Sequence, residues 1–136
     1  MQVKEVMSRR IIAISPEETV AVAARLLSQH NIGALPVCSR DGRLRGMVTD
    51  RDIVVRCVAA GDDPECTRVA EIMTRRVLAA EPDRSVDEAA QVRRLPVQER
   101  GRLVGMVSLG DVAVRPDYTM EAGEALQEIS QNIRRV

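Results

Sequence analysis

Two short stretches hold the residues best suited to gripping a ligand: "GMVTDRD" (Gly46–Asp52) and "GMVSLGD" (Gly105–Asp111). Both run glycine, hydrophobic residue, any residue, Thr or Ser, then Asp three positions on. The apolar run reads as a strand that ends at the hydroxyl, with a helix starting just after it. Thr49 or Ser108 therefore stands at a helix N-terminus, where unbonded backbone N–H groups and the dipole favour an anion. Asp52 or Asp111, one turn in, faces the same mouth. A carboxylate there can accept hydrogen bonds from two neighbouring hydroxyls, such as a ribose diol. The same pattern also serves plain helix capping, with the hydroxyl as N-cap and the Asp favouring the dipole. Its recurrence at matched places weakens that plainer reading.

Other chemistry is scarce. The cysteines are Cys38, Cys57 and Cys66, no CxxC occurs, and His30 is the only histidine. Structural zinc wants four Cys/His ligands at close spacings, so no metal site is expected. A Cys57–Cys66 redox pair is the minor alternative to three inert thiols. His30 suits the C-terminal end of a helix. With no nucleophile–base pairing and no metal set, the chain does not read as an enzyme, and no cofactor is called for.

Composition narrows the partners. The 136 residues are 45% hydrophobic and 29% charged, which suits a globular fold. Twenty basic residues balance 20 acidic ones, so the excess positive charge of a nucleic-acid binder is missing. Tyr118 is the lone aromatic, which leaves no platform for stacking bases. No apolar run approaches the roughly 20 residues of a membrane span, and no signal segment opens the chain. The expectation is a soluble, cytoplasmic protein with no membrane partner.

Positioning elements emerge from an internal repeat. "VKEVMSRRIIAISPEETV" (Val3–Val20) aligns with "VAEIMTRRVLAAEPDRSV" (Val69–Val86), and "IGALPVCSRDGRLRGMVTDRDIV" (Ile32–Val54) with "VRRLPVQERGRLVGMVSLGDVA" (Val92–Ala113). Each copy reads as a short helix ending at Ser8 or Thr74, then a brief strand, "IIAI" or "VLAA". An amphipathic helix capped by Thr19 or Ser85 follows. In the first copy it spans Val20–His30, with Val20, Ala23, Ala24 and Leu27 on one face. A hairpin built on Leu-Pro-Val comes next, and a last helix begins near Asp50–Asp52 and runs "RDIVVRCVAA". The second copy lacks six residues between Ala90 and Gln91, about 1.7 turns of helix. Either those turns are truly lost, with two core leucines, or Ala90 and Gln91 are not joined and a stretch of chain is omitted between them.

These motifs resemble the CBS-domain family, specifically a tandem pair forming a Bateman module of the stand-alone bacterial type. The resemblance rests on "VMSRR/IMTRR", "IGALPV/VRRLPV", the "DGRLRG/GRLVG" hairpin and both Gly-to-Asp motifs, and covers nearly all of Val3–Val114. It implies an α+β fold, two pseudo-twofold-related β-α-β-β-α repeats packed through their sheets. It also implies clefts that bind adenosine compounds (AMP, ADP, ATP or S-adenosylmethionine) and a homodimer. Carried over, Asp52 and Asp111 hold ribose hydroxyls, and Thr49 and Ser108 lie by the ribose or α-phosphate. Ile12, Ala13, Leu78 and Ala79 flank adenine. Arg93 and Arg94 point at phosphate, where the first copy has Gly33 and Ala34. A solvated arginine pair is the alternative for these two. Members with intact motifs can lack a nucleotide altogether.

The domains then run 1–60 for the first repeat, 61–68 for a connector and 69–115 for the second repeat. Residues 117–136 form a C-terminal amphipathic helix, with an apolar stripe of Leu126, Ile129, Ile133 and Val136. Function reads as a regulatory sensor acting through a dimer or an unnamed protein partner. The alternative is an interaction or stress-response protein that keeps the fold without the nucleotide.

Overall fold

The computed structural model describes residues 2–84 and 94–108. The stretch around Ala90–Gln91, the Ser85 cap and the C-terminal amphipathic segment lie outside the described residues. The fold is mixed α/β with two small antiparallel sheets, each a hairpin. In chain order the elements are helix α1 (Val3–Val6), helix α2 (Val20–His30), strands β1 (Ala34–Cys38) and β2 (Leu44–Thr49), and helix α3 (Asp50–Ile53). A π-helical turn (Val54–Val58), helix α4 (Val69–Ile72) and strands β3 (Arg94–Glu99) and β4 (Arg102–Ser108) complete them.

Local chemistry accounts for most of these boundaries. Helix α2 starts where the Thr19 hydroxyl accepts the Val22 N–H at 3.3 Å, and ends at Asn31 in the left-handed conformation, φ 51°. It buries Val20, Ala23 and Leu27 of the expected face, with Ala24 half-buried and Ala21 buried beside them, and His30 occupies its last turn. The β3–β4 turn is made by Arg100 (φ 54°) and Gly101 (φ 81°), the paired positive φ values of a tight hairpin. Both hairpins carry an irregularity at the same place, Val37/Cys38 and Val97/Gln98, so the two copies match down to their bulges.

Two elements depart from expectation. The brief strands "IIAI" and "VLAA" reduce to single parallel bridges, Ile14 to Val37 and Ala80 to Val97. The last helix of the first copy changes character after Ile53, where the Ala59 N–H donates to the Val54 carbonyl at 2.8 Å. Val54, Val55 and Val58 crowd this stretch with β-branched side chains, which lowers the α preference. Ile53 and Cys57 still face inward, four residues apart.

The chain divides into two compact units, one of residues 12–77 and the other of residues 1–11 together with those from 78 onward. Each unit is therefore completed by the opening segment of the other repeat. In the first, Val69, Ile72 and Met73 join Val20, Leu27, Leu35, Val37 and Val48 in one core. In the second, Val3 and Val6 join Leu95, Val97 and Val107. Main-chain bonds fix these additions: the Met47 N–H donates to the Thr74 carbonyl at 2.9 Å and the Thr74 N–H returns at 2.8 Å. Ser8 and Met106 exchange the matching pair at 2.8 and 3.0 Å.

Gly46 and Gly105 permit this approach. A Cβ on Gly46 would stand 2.5 Å from the Thr74 carbonyl oxygen, a backbone atom. One on Gly105 would stand 2.7 Å from the flexible Met7 sulfur and 3.0 Å from the Ser8 carbonyl oxygen. Gly46→Ala is therefore expected to cost about 1–3 kcal/mol, and Gly105→Ala less, because Met7 can turn aside. Urea denaturation of the two variants checks the order; equal midpoints would remove the explanation.

Candidate functional site

The first copy's motif lies where β2 runs into α3. Thr49 ends the strand in extended conformation and caps the helix, its hydroxyl accepting the Asp52 N–H at 3.0 Å. Asp52 answers: its Oδ2 accepts the Thr49 N–H at 3.0 Å. This reciprocal box fixes the carboxylate at the junction. Asp52 is only 8% exposed, so its charge needs partners. Besides the Thr49 N–H, a second comes from the other repeat's opening segment, because the Thr74 hydroxyl donates to Asp52 Oδ1 at 3.2 Å and lies 3.4 Å from Oδ2. Among the described residues no buried side-chain polar atom is left without a partner.

The remaining expected residues fall in several places. Ile12 is half-buried against the first unit's core and Ala13 is exposed, just before the Ile14 bridge to β1. Ala34 stands opposite Thr49 in the hairpin register, and Arg94 opposite Ser108. The sheet thus brings the residue before the Leu-Pro step beside the hydroxyl in both copies. Leu78 is 75% exposed and Ala79 half-buried. Arg93 and Asp111 lie outside the described residues.

Thr74 was not among the expected site residues. It followed a helix and looked like a terminus, although its match with Ser8, a second hydroxyl at the same repeat position, marked it out. Gly46 and Gly105 were also legible in principle, since a glycine inside a strand often marks a close backbone approach.

The thiols are free. Burial raises the Cys38 thiol above its ordinary pKa. Cys66 is raised by its hydrogen bond to the Asp63 carboxylate and by that carboxylate's charge. Neither is primed as a thiolate. Cys57 is buried, 3.6 Å from the Asp62 carbonyl. Among the described residues no group of three or more His, Cys, Asp or Glu gathers to hold a metal, and no helix is long and apolar enough to cross a membrane.

Two matched hairpins with the same bulge position fit a repeated domain. The CBS-domain model matches residues 3–58 and again 69–118. The chain belongs to the CBS-domain family and carries two copies of the domain in tandem; the second match is shorter than the first.

Among its relatives, the CBS domain-containing protein YhcV of Bacillus subtilis is 43% identical over 138 residues, 96% of this chain and 97% of its own length. That alignment is longer than this 136-residue chain, so YhcV holds residues within the matched span that the chain lacks. Hypoxic response protein 1 of Mycobacterium tuberculosis is 38% identical over 116 residues, 81% of each chain. A crystal structure of Hypoxic Response Protein I, with two coordinated zinc ions, has a TM-score of 0.74 at 37% identity, covering 83% of this chain and 97% of that one. A hexameric CBS-CP12 protein from bloom-forming cyanobacteria has a TM-score of 0.71 at 31% identity, covering 88% and 70%.

The capping geometry predicts separate costs. Thr49→Ala should lose about 0.5–2 kcal/mol, the usual range for a removed N-cap. Asp52→Ala should cost at least as much, since the Thr49 N–H and the Thr74 hydroxyl both lose a charged acceptor. Urea denaturation of ligand-free protein measures both; a neutral Asp52→Ala would show that the carboxylate has no structural part.

Proposed function

We propose that this CBS pair is a regulatory sensor that binds an adenosine-containing ligand and acts through self-association or a partner. The observation that carries this reading is Asp52. It is a buried carboxylate fixed at a strand-to-helix junction, in a motif repeated at Asp111, with Thr49 beside it and Ala34 across the register. Ribose hydroxyls are the donors such a carboxylate suits. Thr49, Ser108 and Asp111 take the roles the resemblance gives them, Ile12, Ala13, Leu78 and Ala79 flank the base, and Arg93 and Arg94 meet phosphate. The working domains are residues 1–60 and 69–115, joined by 61–68 and followed by 117–136. The chain supplies binding and no catalysis, and its place is the cytoplasm.

Self-association is supported by Val54, Val55 and Val58, which are 58, 52 and 59% exposed along one turn. Clustered exposed valines favour burial against another surface. Changing Val55 and Val58 together to Glu should convert a dimer to monomer in analytical ultracentrifugation. An unchanged sedimentation coefficient would place the contact elsewhere.

A second reading is a stress-response interaction protein that binds no nucleotide. It is favoured by the protein partners Asp52 already has, the Thr49 N–H and the Thr74 hydroxyl, and by the likeness to Hypoxic response protein 1. Thermal melting with AMP, ADP, ATP and S-adenosylmethionine separates the two. A ligand at 100 times its Kd should add about 2.7 kcal/mol of stability, and the gain should vanish when Asp52 and Asp111 are both changed to Ala. No shift with any of the four favours the second reading.

A further inference from the structure

We infer that the Thr74 hydroxyl is an internal competitor for the Asp52 carboxylate, so that a diol ligand must displace it to bind. The inference rests on the adenosine reading and adds to it the residue that sets affinity. Its ground is geometric. A carboxylate offers about four lone-pair positions on two oxygens. One on Oδ2 is taken by the Thr49 N–H at 3.0 Å, a bond that also fixes the helix start. The Thr74 hydroxyl straddles the two oxygens, 3.2 Å from Oδ1 and 3.4 Å from Oδ2. A vicinal diol donating one hydrogen bond to each oxygen would claim that same edge. With Asp52 only 8% exposed, little of the carboxylate is open while Thr74 holds it.

Of these donors only the hydroxyl can yield cheaply. The Thr49 N–H is backbone, tied into the capping box. The Thr74 backbone is pinned to Met47 in both directions and pressed against Gly46, but rotation about its χ1 can carry the Oγ1 away from Asp52. Thr74 lies three residues before residue 77, where the first compact unit ends. Thr74 touches Asp52 rather than standing in for it, and its role is to set how tightly a diol is held.

Competition fixes the sign of the test. In the full-length protein, isothermal titration with AMP and with S-adenosylmethionine should give about tenfold tighter binding to Thr74→Val than to the native chain. Thr74→Ser, which keeps the hydroxyl, should restore the native affinity. The gain should shrink for 2′-deoxy-AMP, which cannot present the diol. A residue that merely supported the site would show the opposite sign, weaker binding in Thr74→Val. Native binding with equal or weaker binding by a folded Thr74→Val would overturn the inference and leave the adenosine reading intact. Absence of binding by native, Val and Ser forms alike would overturn both. Thermal melting of each variant establishes that it is folded, and Thr74→Ala serves in place of the Val variant if that one does not fold.

Discussion

The backbone of Met73 and Thr74 lies so close to β2 that only a hydrogen fits at position 46. Two main-chain hydrogen bonds hold it there, and the rest of the first unit is arranged around that contact. Val69, Ile72 and Met73 reach the core because the segment is docked. Arg56 then donates to the carbonyls of Ile72 at 3.2 Å and Met73 at 3.3 Å, satisfying groups at the end of α4. The same contact recurs over Gly105 with Ser8 and Met106. Neither repeat closes its own core: each borrows a helix and a bridge from the other's opening. Two-copy architecture follows from this exchange, since a hairpin without its borrowed segment would leave apolar side chains in water.

Asp52 is the buried charged group at the strand-to-helix junction of the first unit. Burying a carboxylate is costly unless charge-assisted bonds replace its water, and here a backbone N–H and a hydroxyl do so. The capping box fixes the position of the carboxylate, which on the proposed function would lower the ordering cost of binding. Capping is thus compatible with the ligand role proposed for this residue, in which a diol competes with the hydroxyl already present.

What was legible in the sequence was local. Helix α2 was readable from Val20, Ala23, Ala24 and Leu27, because a 3.6-residue period and a Thr cap lie within a dozen positions. The hairpins were readable from Leu-Pro-Val runs and turn glycines, and Thr49 with Asp52 from their spacing. The exchange of opening segments was not, because both copies carry nearly the same pattern and nothing local says which hairpin a given segment joins. Thr74 escaped for the same reason: its partner Asp52 lies 22 residues away. The π-helical turn was not readable, because a shift of hydrogen-bond register leaves the apolar pattern of Ile53 and Cys57 unchanged.

Near-identical scaffolds make the differences between the copies informative. In the first, Gly33 lies beside Asp50: the Asp50 N–H donates to the Gly33 carbonyl at 3.1 Å, and a Cβ on Gly33 would sit 3.6 Å from the Asp50 carboxylate. The second copy has Arg93 at the position of Gly33 and Leu109 at that of Asp50. One hairpin end therefore carries an exposed carboxylate next to a residue without a side chain. At the matching sequence positions the second copy has an apolar side chain in place of the carboxylate and a guanidinium in place of the glycine hydrogen. Like charges at a few ångströms repel even in water, and opposite charges attract. On the proposed function, this difference in sequence charge would make the two copies of the motif unequal toward an anionic ligand.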